Sequence, residues 1–219
     1  MIGIINYGAG NLGSLKNAFD YLGIESKILN EPDSINKCDH LVLPGVGSFA
    51  VAMKNMQMGN WPLAIRSRVI GDGVPLLGIC LGMQLLFESS SEHGDTHGLG
   101  FLRGHVKPLI PSLLHPVPHM GWNNLLYDGD SMHPIFSRVK KHIDFYFVHS
   151  YKCEPKDYDQ VLAKANYGEN FAAAVGVRNI VGLQFHPEKS QDMGLRLLEN
   201  FSVWDGDAKK KNNTSFIAI

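Results

Sequence analysis

Pro75-Leu76-Leu77-Gly78-Ile79-Cys80-Leu81-Gly82-Met83-Gln84-Leu85-Leu86-Phe87 is the stretch on which the reading of this chain turns. Its apolar start reads as a buried strand, the run from Met83 as a helix continuing towards Phe87, and a thiol stands at the turn between them. Gly78 and Gly82 let the backbone bend sharply there without side-chain clashes, as in the nucleophile elbow of hydrolases. The sulfur of Cys80 is thereby pushed outward, at a helix start whose unpaired amides and positive dipole end favour a thiolate over a thiol.

Outward from this unit the chain keeps alternating strands and helices. A strand is expected over 3–7, then a helix over 11–22 with Leu12, Leu15, Phe19 and Leu22 at helical spacing. Strands over 26–29 and 41–43 and helical material within 49–69 complete the first half. The alternation predicts an α/β fold, a mostly parallel central sheet covered by helices on both faces. From about Arg103 the texture changes to short extended segments at 106–110, 122–127, 145–151, 160–165 and 172–177, an antiparallel extension ahead of an apolar strand at 180–185. A helix over 192–201 closes the fold. Residues 1–204 read as one domain, and 205–219, with Lys209, Lys210 and Lys211 followed by an apolar end, as a disordered tail.

A thiolate that attacks a carbonyl needs a proton carrier and a group to orient it. Phe185-His186-Pro187-Glu188 meets that need, because residues two apart on extended chain share a side, which places Glu188 at the far nitrogen of the His186 ring. Cys80, His186 and Glu188 form the expected catalytic triad. The oxyanion made during attack needs backbone donors: Leu81 supplies one, and the Pro44-Gly45-Val46-Gly47 turn at the sheet's carboxyl edge is the candidate for the other. Gln84, one turn beyond Cys80, faces the same site.

With 219 residues, 44% of them hydrophobic and 19% charged, the chain can bury a substantial core. A net charge of −1 offers no general attraction to nucleic acid or an anionic membrane. Three cysteines and the need for a reduced thiol argue against a disulfide framework, and the ten histidines show no ligand spacing, so neither metal nor cofactor is expected. No signal-type start and no apolar stretch near the roughly 20 residues of a membrane span point to a cytoplasmic address. One competing motif is present: Gly8-Ala9-Gly10-Asn11-Leu12-Gly13 matches a dinucleotide fingerprint, with Glu31 near the ribose position, so a noncatalytic nucleotide-binding module is the second reading.

The elbow and the His186 string together resemble the class I glutamine amidotransferase domain, over residues 2 to about 201. Further strings resemble the branch that serves imidazole glycerol phosphate synthesis: Asn6-Tyr7-Gly8-Ala9-Gly10-Asn11, Pro44-Gly45-Val46-Gly47, Pro118-His119-Met120-Gly121-Trp122-Asn123, Phe147-Val148-His149-Ser150-Tyr151 and His186-Pro187-Glu188-Lys189-Ser190. The resemblance implies a flavodoxin-like fold and hydrolysis of L-glutamine to glutamate and ammonia. It implies that Gln84, with backbone groups of Ser150 and Tyr151, holds the amino-acid end of glutamine, and that an amide of the 45–47 turn swings into place only when a partner is docked. That partner is a (β/α)8-barrel cyclase receiving the ammonia, with Asn11, His119, Gly121, Trp122, Asn123 and Lys189 at the shared face and Lys189 against Tyr146 or Tyr151. A paralogous glutaminase feeding another synthase, such as one that installs an amidino group on a sugar, keeps the same triad and stays open.

Overall fold

Seven strands line up as β2-β1-β3-β4-β13-β12-β11 in the computed structural model, which describes residues 1–126 and 133–207. They are β1 (Ile2–Ile5), β2 (Ser26–Leu29), β3 (His40–Leu43), β4 (Leu76–Ile79), β11 (Val161–Asn166), β12 (Asn170–Val177) and β13 (Ile180–Leu183). The first five in that order are parallel, and β12 and β11 continue the sheet antiparallel. The parallel part has the doubly wound order in which ligands bind outside the carboxyl ends of the strands.

Alternation along each strand divides the core between the two faces of this sheet. Ile2, Ile4, Val42, Leu77 and Ile79 pack on one side with α1 (Leu12–Tyr21) and α5 (Gln191–Val203), through Leu15, Phe19, Leu197, Leu198 and Phe201. Ile5, Leu41, Leu43 and Leu76 pack on the other with α2 (Phe49–Met58) and α3 (Trp61–Arg66), through Phe49, Met53, Met56, Trp61 and Ile65. With both faces covered, the central strands are apolar throughout, which is why β4 and β13 read as continuous apolar runs.

A second sheet has the order β10-β7-β5-β6, from β5 (Phe87–Ser90), β6 (Thr96–His97), β7 (Leu102–Pro108) and β10 (Tyr151–Pro155). It is antiparallel except for β5 beside β7. A ribbon of β8 (His119–Asn124) and β9 (Asp144–His149) completes the extension.

Two local expectations are corrected. The helix after the elbow, α4 (Leu81–Leu85), does not reach Phe87, which begins β5. All of 81–87 is buried, so no polar face marks where helix gives way to strand. Tertiary contacts decide it: N–H groups of Leu99, Phe101 and Gly100 donate to the carbonyls of Leu85, Leu86 and Phe87 that a longer helix would need. The segment 145–151 is two strands, β9 and β10, because the chain changes sheets at Ser150, whose carbonyl accepts from the Leu109 N–H at 2.9 Å. Tyr127, the expected end of the 122–127 strand, and the tail from residue 208 lie outside the described residues. Among the described residues no helix is long and apolar enough to cross a membrane.

Candidate active site

Cys80 stands at the carboxyl end of β4 with φ 55° and ψ −111°, a backbone state that a residue with a side chain rarely adopts. Its surroundings hold it there. The Cys80 N–H donates to the Leu183 carbonyl at 2.7 Å, which ties the turn to β13. Gly82 lies so close to β3 that a Cβ on it would sit 1.8 Å from the Leu43 carbonyl oxygen. Glycine at 82 is therefore required by packing, and the elbow presses α4 onto the sheet while turning the thiol, 5% exposed, into a cavity of about 290 Å3.

His186 enters from the next strand over, beyond the end of β13. Its main chain is fixed twice: its N–H donates to the Tyr146 carbonyl at 2.9 Å, and Ser190 Oγ donates to its carbonyl at 2.6 Å. Nδ1 of His186 donates to Glu188 Oε1 at 2.8 Å, with both side chains almost fully buried. A short 3-10 turn, Pro187–Lys189, brings the carboxylate back to the ring where the sequence reading invoked extended chain. Burial opposes charge on His186, but the nearness of Cys80 and the hydrogen-bonded Glu188 outweigh it and raise its pKa to about 10. With Nδ1 held by Glu188, Nε2 is the nitrogen left for the thiol, and it is buried without a closed hydrogen bond. Catalytic hydrogen bonds of this kind often tighten only when substrate is bound.

The cavity wall gathers much of what the sequence reading expected to meet there. Val46, Gly47, Leu81, Gln84, Ser150 and Tyr151 all line it. Leu81 opens α4, where N–H groups have no intrahelical acceptor. Gly45 is set behind the wall: a Cβ there would sit 2.3 Å from the Tyr7 hydroxyl, which donates to the Pro44 carbonyl at 2.8 Å. Gln84 Nε2 donates to the Tyr151 carbonyl at 3.0 Å and to Gln184 Oε1 at 3.2 Å. Both of its protons are thus engaged, so what Gln84 offers a ligand is a carbonyl oxygen.

Two polar residues of the site escaped the sequence reading, Glu92 in the cavity wall and Gln184 buried behind it. Glu92 lines the cavity as a buried carboxylate, with Oε2 accepting from the Phe49 N–H at 2.7 Å at the start of α2. It follows β5, whose Phe87-Glu88-Ser89-Ser90 carries no strand pattern, so nothing in the sequence pointed to it. Gln184 is fully buried and turns its Nε2 to within 3.9 Å of the Cys80 sulfur, which itself donates to the Val148 carbonyl at 3.7 Å. A polar residue inside the apolar run before His186 was the available signal.

The residues expected at the partner face differ in their exposure. Asn11 is exposed and caps α1, accepting from the Ser14 N–H at 3.2 Å, which engages one of the free amides at this helix start. Trp122 is 48% exposed and meets Tyr146 edge-on at 5.9 Å, and Lys189 Nζ lies 5.7 Å from the same Tyr146 ring. His119 differs from expectation: it is 2% exposed, because alternation along β8 turns Met120, Trp122 and Asn124 outward and His119 inward. Gly121, at φ 135°, and Asn123 are half-buried between them. Among the described residues no group of three His, Cys, Asp or Glu side chains could hold a metal.

The chain has relatives over most of its length. The profile of the glutamine amidotransferase class-I family matches residues 3–203. Imidazole glycerol phosphate synthase subunit HisH 1 of Campylobacter jejuni is 45% identical over 92% of this chain and 99% of its own. Subunit HisH of Aquifex aeolicus is 47% identical over 90% and 94%. Among solved structures, a glutamine amidotransferase superposes with a TM-score of 0.71 at 20% identity, over 92% of this chain and 99% of that one, a likeness of fold. On the family match and these relatives, the chain belongs to the class I glutamine amidotransferases.

Proposed function

We propose that this chain hydrolyses L-glutamine to glutamate and ammonia, and that it delivers the ammonia to a separate barrel cyclase that makes imidazole glycerol phosphate and an aminoimidazole carboxamide ribotide in histidine biosynthesis. The observation that carries the chemistry is the strained Cys80 elbow, set beside a His186 ring already held by Glu188 at 2.8 Å. The thiolate adds to the side-chain amide carbon of glutamine, and the oxyanion is held by the Leu81 N–H and an amide of the 45–47 turn. His186 gives its proton to the departing ammonia, leaving a thioester on Cys80. His186 then takes a proton from water, which attacks the thioester, and glutamate leaves as the thiol is restored. Gln84 and Glu92 offer acceptors for the substrate ammonium, and backbone groups of Ser150 and Tyr151 meet its carboxylate.

The assignment to histidine biosynthesis rests on relatives at 45–47% identity named as subunits of imidazole glycerol phosphate synthase. On this reading residues 1–204 are the whole glutaminase domain, 205–219 an appendage, and the protein works in the cytoplasm. Glutamate release should be small for the chain alone and rise steeply with the cyclase and its nucleotide substrate present. A chain fully active alone, or indifferent to that cyclase, would belong to another synthase.

A further inference from the structure

A hydrogen-bond chain leaves the active-site cavity and ends beneath the ribbon. The Tyr151 carbonyl, which receives the Gln84 amide, also accepts from His149 Nδ1 at 2.8 Å. His149 Nε2 is 2.9 Å from His119 Nδ1, and His119 Nε2 is 3.3 Å from Asn123 Nδ2. Asn123 Nδ2 also donates to the Asn166 carbonyl at 2.9 Å, while Asn123 Oδ1 accepts from the Asn124 N–H.

Both ends of this chain are carbonyls, which only accept, and that fixes every proton between them. The Tyr151 end demands a proton on His149 Nδ1, so in a neutral ring Nε2 accepts, and His119 must donate from Nδ1. His119 Nε2 then accepts, from an Asn123 amide that the Asn166 carbonyl has already oriented. The two ends give the same answer. Burial keeps both rings uncharged, with pKa values pushed down to about 3 for His149 and about 4 for His119.

We infer that His119 and Asn123 are positioning residues: they set the tautomer of His149, which anchors the Tyr151 carbonyl and through it the Gln84 amide at the glutamine end of the cavity. With the opposite tautomer, His149 would present a lone pair to a carbonyl, and the Tyr151 corner and Gln84 would lose their common fixed point. The inference rests on the glutaminase reading, and it places its effect in glutamine binding rather than in the triad.

Two substitutions separate this from simple packing, since His119 also stacks on Phe147 at 4.9 Å and on Tyr167 at 4.0 Å. His119→Phe keeps a flat ring and removes both hydrogen bonds, whereas His119→Gln removes the ring and can both donate to His149 and accept from Asn123. Assayed as the full chain with the cyclase and its nucleotide, His119→Phe should raise KM for glutamine about ten-fold with kcat little changed, the worth of one ordinary hydrogen bond. His119→Gln should stay within about three-fold of the parent KM on the same scale. The reverse ranking, or equal impairment, overturns the inference. Nitrogen NMR of the histidine-labelled parent chain gives a test free of substitutions: His149 and His119 should both show protonated Nδ1 and bare Nε2, and a protonated Nε2 on His149 overturns the relay. If the parent releases no glutamate from glutamine, the glutaminase reading fails, and the NMR result still decides the tautomers.

Discussion

Cys80 carries two burdens, a positive φ and a buried thiol, and both follow from where the elbow must put its sulfur. Strain of this kind costs about 1–3 kcal/mol and persists only where neighbours over-determine it, here the Leu183 carbonyl and the Gly82 contact with β3. Cys80→Ala should lose at least ~10³-fold in glutamate release with the cyclase present. Glu188→Gln should leave KM near its parent value and lower kcat by about 10²–10⁴-fold, because the amide no longer stabilises a charged His186. Steady-state kinetics of the complex checks both, and a Glu188→Gln enzyme changed mainly in KM would remove Glu188 from its orienting role.

At the scale of elements, the 44–47 turn is wedged between the loop after β1 and the start of α4. Gly45 is the tight point, with the Tyr7 hydroxyl 2.3 Å, and Leu81 Cβ 3.0 Å, from where a Cβ would go. Gly45→Ala should therefore destabilise by about 1–3 kcal/mol, the range for overpacking a close contact. Tyr7→Phe removes the obstructing oxygen and its bond to Pro44, so alone it should cost about 1 kcal/mol. Combined, the two should cost less than the sum of the single changes by about 1 kcal/mol, read from urea midpoints as a coupling between touching residues. Strict additivity would show that Tyr7 does not press on the turn.

Across the whole molecule, the histidines define a stability window in pH. His186 is raised to about 10, so its stabilising charge is fully present below the ordinary histidine value of 6.5 and is lost as pH climbs through 10. His119, His133 and His149 are depressed by burial to about 4, 4 and 3, so they stabilise above 6.5 and withdraw that support as pH falls towards those values. Melting temperature should therefore peak near pH 6.5–7 and fall on both sides, and Glu188→Gln should flatten the alkaline limb alone. On the same scale, Trp122 is exposed on the ribbon beside Tyr146 and Lys189, and it is the aromatic proposed to meet the cyclase. Trp122→Ala should weaken association with the cyclase by about 2 kcal/mol, as interface aromatics do, measured by calorimetry against an unchanged basal rate. An unchanged affinity would move the partner to another face.

What could be read from the sequence was what is local. An elbow of five residues, a histidine and a glutamate two apart, and apolar strands alternating with helical spacing are all held within a few residues of chain, so their patterns survive without neighbours. The sequence by itself therefore determined the α/β class, the turn that holds Cys80 after an apolar strand, the pairing of His186 with Glu188, and the loops at the sheet's carboxyl edge. Glu92 and the inward His119 were beyond it, because each owes its position to a pairing between distant segments, β5 against β7 and β8 against β9, while Gln184 showed only as a polar residue inside an apolar run. The end of α4 was decided the same way, by amides of 99–101 taking carbonyls that the helix pattern would have used. A fully buried apolar run carries no polar face to mark its form or its direction, and only the strands that close around it supply one.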